Sequence, residues 1–257
     1  MRWIYTLLAT FLLTLAGCAS MEDSARQRQV ASVLSYLYPA SGTVPRARYA
    51  IAELNIPFRI GVAFVPYNTP AQFRLPESDR IQLATRVRDA FAGYPFVREI
   101  VAVPSVYLES GGSFANLDRI ASMLHLDVIA LISFDQVQNA GAAGSSFLYW
   151  TGIGAYVIEG DKYDILTAVE TSVFDIKSRR LLIRAGGISN IKGSATMVGF
   201  SEISREARTR GFSEAITEMI SNLHNEVKAF RERAPNDPKI RLITPPNYAP
   251  QLGGPRA

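Results

Sequence analysis

The chain has a single cysteine, at position 18, directly after Leu15-Ala16-Gly17. Met1 and Arg2 precede an apolar run from Trp3 to Leu15. A short basic start, an apolar core of about a dozen residues and small residues at the cleavage point make a secretory signal peptide. The run is short for a membrane span, which needs roughly 20 apolar residues. Small side chains at positions 16 and 17 suit a peptidase that fits the backbone closely, so cleavage is expected between Gly17 and Cys18. The Cys18 thiol is then the acylation site. Several acyl chains on one residue anchor stably, whereas a single chain holds only marginally. Ala19, not Asp, follows the cysteine. For bacterial lipoproteins as a class this implies sorting to the outer membrane. The expectation is a body held at the periplasmic face of the outer membrane by lipid on Cys18. With one cysteine, no disulfide forms within the chain.

The organisation expected is a leader at 1–17, a tether at 18–24, one α/β domain at 25–233 and a Pro/Gly-rich tail at 234–257. Apolar residues make up 48% and charged residues 19% of the 257, which is globular composition. The formal charge is +4. Arg2 would leave with the leader, and five basic residues from Arg231 onward, set against Glu232 and Asp237, account for the rest of the excess. The body is near neutral and has no concentrated basic face of the kind a nucleic-acid binder carries. Nucleic acid is therefore not an expected partner.

Apolar periodicity sets the elements. Val30, Val33, Leu34 and Leu37 predict a helix over 25–37, ended by Pro39. Phe58–Val65 and Val97–Val103 read as strands, and Ile81, Ala84, Val87 and Phe91 predict a helix over 77–92. A helix over 116–124 is expected, with Asn116 as its cap. Asp127–Phe134 is almost continuously apolar, as in a strand covered on both faces. Residues 164–176 and 180–189 read as a hairpin turning at Lys177-Ser178-Arg179. A long apolar stripe from Phe212 to Phe230 predicts a helix over 203–231. The fold class is α/β: a mixed central sheet in the order β-α-β-α-β, then a hairpin, then a long C-terminal helix. That order resembles the α/β domain of the curli secretion lipoprotein and of penicillin-binding-protein activators.

From Gln136 to Ile158 no residue is charged. Phe147, Tyr149, Trp150 and Tyr156 in that stretch suit a membrane or partner interface, where an apolar ring carries a polar tip. The competing reading is buried core. Chemistry-bearing motifs are sparse. His125 and His224 form no metal-spaced pair, and neither His-Glu-x-x-His nor Gly-x-Ser-x-Gly occurs. Gly187 to Ser194 has the lysine and glycine of a phosphate loop exchanged. Glu159, Asp161 and Asp164 match no calcium loop. The sequence thus predicts no catalytic residue, no metal and no cofactor.

Leu37-Tyr38-Pro39, Arg59 to Pro66, Phe114-Ala115-Asn116-Leu117-Asp118, Tyr149-Trp150-Thr151 and Lys192-Gly193-Ser194 together resemble the rhombotarget lipoprotein family. The resemblance covers nearly all of the mature chain. It implies a bacterial envelope lipoprotein in a genome that also carries rhombosortase, a rhomboid-like protease whose substrates end in Gly-Gly, an apolar span and a basic cluster. Gly253-Gly254 is present here, followed by Pro255-Arg256-Ala257 without a span. The function expected is a non-enzymatic scaffold or accessory in envelope protein export, assembly or sorting, with an envelope protein as partner. The alternatives are a membrane-inserting oligomer or pore built on 136–158, and a hydrolase of unrecognised type. The sequence leaves the oligomeric state open.

Overall fold

The computed structural model describes residues 26–39, 50–67, 74–142, 161–196 and 199–245. Its elements are β1 (Arg26–Ala31), α1 (Val33–Leu37), β2 (Ala52–Asn55), β3 (Phe58–Phe64), α2 (Glu77–Phe91), β4 (Val97–Ala102), α3 (Ser113–Leu124), β5 (Val128–Ala142), β6 (Asp161–Asp175), β7 (Arg180–Ala195), α4 (Phe200–Arg233) and β8 (Ile240–Ile243). The main sheet runs β4-β3-β5-β6-β7, with β1 also paired to β5. β3 is parallel to β4 and β5, and β5, β6 and β7 are antiparallel. The chain is a mixed α/β fold with a mixed sheet and a long C-terminal helix.

Burial explains the middle of the sheet. Val128, Ile129, Ala130, Leu131 and Ile132 are all buried, because helices cover both faces. α2 and α4 share one face, tied by Arg86, which donates to Ser213 Oγ at 2.8 Å and Thr217 Oγ1 at 2.6 Å. On that face Phe212 of α4 meets Phe134 of β5 edge-on at 4.9 Å. α3 lies on the other face, where Phe114 meets Phe174 of β6 at 6.2 Å.

Four readings of the sequence are corrected. Residues 26–31 are strand, with only one helical turn after them. Gln29 and Ala31 are buried while Arg28 and Val30 are exposed, which is a period of two. β1 takes the edge of β5 from Phe134 to Asn139, just beyond where β3 stops at Ile132. Covering an open edge outweighs the weak helical stripe, and Leu34 of that stripe is 68% exposed. Asn116 does not cap α3, which begins at Ser113. Its buried amide instead receives the Tyr36 hydroxyl at 2.6 Å and donates to Tyr107 O at 3.1 Å. Burial pushes the Tyr36 hydroxyl pKa well up, so it stays a donor. The hairpin is longer than expected, because β5, β6 and β7 reach Ala142, Asp161 and Ala195. Finally, the tail does not begin at 234. β8 pairs in parallel with β2 as a second, two-stranded sheet. Ile240 and Leu242 pack on the core, and Arg241 reaches Glu53 at 3.0 Å.

α4 approaches the sheet closely at Gly187. A Cβ there would stand 2.2 Å from Ala215 O and 2.4 Å from Met219 N, both backbone atoms. Gly187→Ala should therefore lower stability by about 3 kcal/mol or more, at or above the upper end for overpacking. Gly186→Ala, where the nearest atom is Val169 O at 3.4 Å, should change it little. Denaturant midpoints of the two variants check this; equal shifts would refute the close approach.

Candidate functional site

Alternate residues of a strand share a face, so β3 presents Phe58, Ile60 and Val62 to the side that α2 and α4 cover. β5 adds Val128 and Ala130, β6 adds Val173, and β7 adds Leu182 and Ile183. Val87 and Phe91 of α2 and Leu223, Val227 and Phe230 of α4 close the opposite wall. Leu54 of β2 and Leu242 of β8 roof it. Between them lies a chamber of about 380 Å³. Arg231 and Thr244 are its polar lining among the described residues. The half-buried or exposed Ile56, Pro95, Phe96, Pro235 and Thr244 mark the open end. Arg231 stands there with its guanidinium 5.8 Å from the centre of the Phe96 ring, a cation–π distance.

Such a space is unusual. Interiors rarely keep voids larger than a water molecule. Water fills it poorly, since a buried water needs roughly two to four polar partners. Its volume falls in the ~300–1,000 Å³ range of small-molecule sites.

A polar concavity of about 520 Å³ lies further toward the N-terminal end of α4, walled by Arg74, Arg205, Arg208 and Arg210 together with Asp79 and Glu206. Arg208 donates to Gln138 Oε1 at 2.7 Å. Burial, with the nearby Arg205 charge, lowers its pKa. Gln136 donates to Thr167 Oγ1 at 2.8 Å and Arg208 O at 3.1 Å, which ties the hairpin to α4. These groups brace the helix against the strands.

Most site residues named from the sequence lie outside the described residues. They are Gly17, Cys18, Phe147, Tyr149, Trp150, Tyr156, Gly253 and Gly254. Of the charge-free stretch, 136–142 continues β5, with Gln136 and Gln138 buried. His125 is exposed and ends α3 in the left-handed conformation. Lys192, Gly193 and Ser194 are residues of β7. Asp164 lies in β6 and pairs with Lys192 at 3.3 Å, while Glu159 is outside the described residues.

No family model matches the chain, and no curated protein matches it. Solved structures do match at low identity. One is a single-substitution variant of the PelC dodecamer from Paraburkholderia phytofirmans, at 9% identity and TM-score 0.26, covering 65% of this chain and 95% of that one. A second is a homolog of the neuraminyllactose-binding hemagglutinin from Helicobacter pylori, at 9% identity and TM-score 0.34, covering 79% and 98%. The PelC dodecamer from Paraburkholderia phytofirmans in another crystal form matches at 7% identity and TM-score 0.24, covering 74% and 96%.

Sequence reasoning missed the chamber, because apolar residues on one face signal a core whether or not the core is filled. It also missed Tyr94, whose hydroxyl is 2.7 Å from His224 Nδ1 beside the chamber wall. The His224 ring stacks on Phe91 at 4.3 Å. Burial lowers the His224 pKa below its ordinary 6.5 and raises that of Tyr94. A neutral ring then accepts from the tyrosine. Unfolded chains take up the histidine proton first as pH falls, so stability is present above 6.5 and declines below it, toward the lower folded value. The melting temperature should drop between pH 7.5 and 5.5, and drop less in His224→Gln, whose amide oxygen can still accept from Tyr94. Parallel pH profiles for the two proteins would contradict this.

Proposed function

We propose that this chain is an outer-membrane-anchored periplasmic lipoprotein that acts by binding, as a scaffold or accessory in envelope protein export, assembly or sorting. The observation that carries the reading is the position of its sole cysteine, behind a basic start, an apolar core and Leu15-Ala16-Gly17. A thiol at that place receives lipid, and several acyl chains make a stable tether. The geometry of the body favours binding over chemistry in a specific way. Its polar groups are engaged in holding elements together: Glu77 accepts from Ser105 N at 2.8 Å, and Asp127 accepts from Arg59 N at 2.8 Å. The chamber beneath β2 and β8 has apolar walls. By resemblance, the partner belongs to the rhombosortase system, although Gly253-Gly254 lacks the apolar span that follows it in that system's substrates.

In cells fed labelled palmitate, the wild-type chain should take up label and sediment with outer membranes. Cys18→Ser should take up none and keep its leader. Crosslinking of intact envelopes should recover a protein partner with the wild type. Unlabelled, freely dissolved wild-type protein would overturn the anchor, and a crosslinked sample without any partner would overturn the accessory role.

A further inference from the structure

We propose that the chamber beneath β2 and β8 binds one acyl chain of an anionic amphiphile, with the chain against the sheet and the head at Arg231. This goes beyond the tethering role and does not depend on lipid at Cys18, because the site is built from the folded body alone.

Three features select this ligand. The first is the wall chemistry. Along Phe58, Ile60, Ala130, Val173 and Val227 the lining offers no hydrogen-bond partner. A peptide segment would bring backbone N–H and C=O groups that need partners at every residue. An acyl chain has no polar atom along its length, so it loses nothing by entering. The second is size. A volume of about 380 Å³ holds roughly a dozen water-sized units at ~30 Å³ each, the bulk of one medium-length chain. The third is charge. The rim carries a cation, with the Arg231 guanidinium against the Phe96 ring. An amphiphile whose head is a carboxylate or phosphate places its charge there while its tail stays dry, and a guanidinium suits either oxyanion.

A fatty acid and a lysophospholipid share this chemistry, so two probes separate them. Unwashed lysates of cells making the full chain are given a diazirine-bearing twelve-carbon fatty acid, or a lysophospholipid with the same tail, and irradiated. Crosslinked peptides are then mapped. Label is expected on peptides holding Leu182–Ile183 and Leu223–Phe230, with one probe or both, and competed by the unlabelled lipid. Each methylene removed from the competitor should weaken it about fourfold. Leu242→Trp, which fills the chamber from its roof, should abolish labelling of these peptides. Arg231→Gln should leave the fold intact, checked by protease resistance, and weaken labelling about tenfold. Absence of label on the lining with both probes would overturn the proposal, as would label that persists undiminished in Leu242→Trp. Unchanged binding in Arg231→Gln would overturn the place of the head.

Discussion

The fold depends on how closely one helix lies on one strand. α4 can rest on β7 because Gly187 puts hydrogen where any other residue would put carbon, against the backbone of Ala215 and Met219. Gly211 allows the same approach from the helix side, where an added Cβ would meet Thr167 Oγ1 at 2.7 Å. Around this seam the strands supply polar groups that the helix backbone accepts. Ser189 donates to Gly211 O at 2.7 Å, and Gln136 donates to Arg208 O. Thr171 donates to the Met219 sulfur at 2.8 Å. Without the glycines the helix would ride higher and these bonds would break together.

The same contact gives rise to the chamber. Sheets twist while helices stay nearly straight, so a long helix held tight at one place diverges from the strands elsewhere. α4 is pinned between Gly211 and Met219. By Leu223 to Phe230 it stands over β3 and β5 with space beneath. α2 closes one side of that space and the β2–β8 pair closes the top. The chamber thus comes from geometry at a distance, set by small residues that do not line it.

How much of this could be read from the sequence follows from the range of each signal. α2, β3, β4 and the first half of β5 were legible because burial, caps and breakers act within a few residues of one another. Pro76, Gly93 and Pro95 bracket α2, and the run from Val128 to Ile132 declares a covered strand. β1 and β8 were not legible. Each is a short segment that becomes a strand only because a partner far along the chain offers an open edge, β5 for one and β2 for the other. Asn116 was misplaced for a similar reason, since its role comes from Tyr36 and Tyr107 in other segments. The chamber left no local mark, and Tyr94 and His224 meet across 130 residues.

The roof carries a consequence for the order in which the molecule assembles. Glu53 and Arg241 join across a separation of 188 residues, and β8 follows every strand of the main sheet and the whole of α4. A chain made from its N-terminal end completes the sheet and the helix before the residues that cover them have arrived. Loop closure over such a distance comes late in folding. There is thus an interval in which the apolar hollow is built but uncovered.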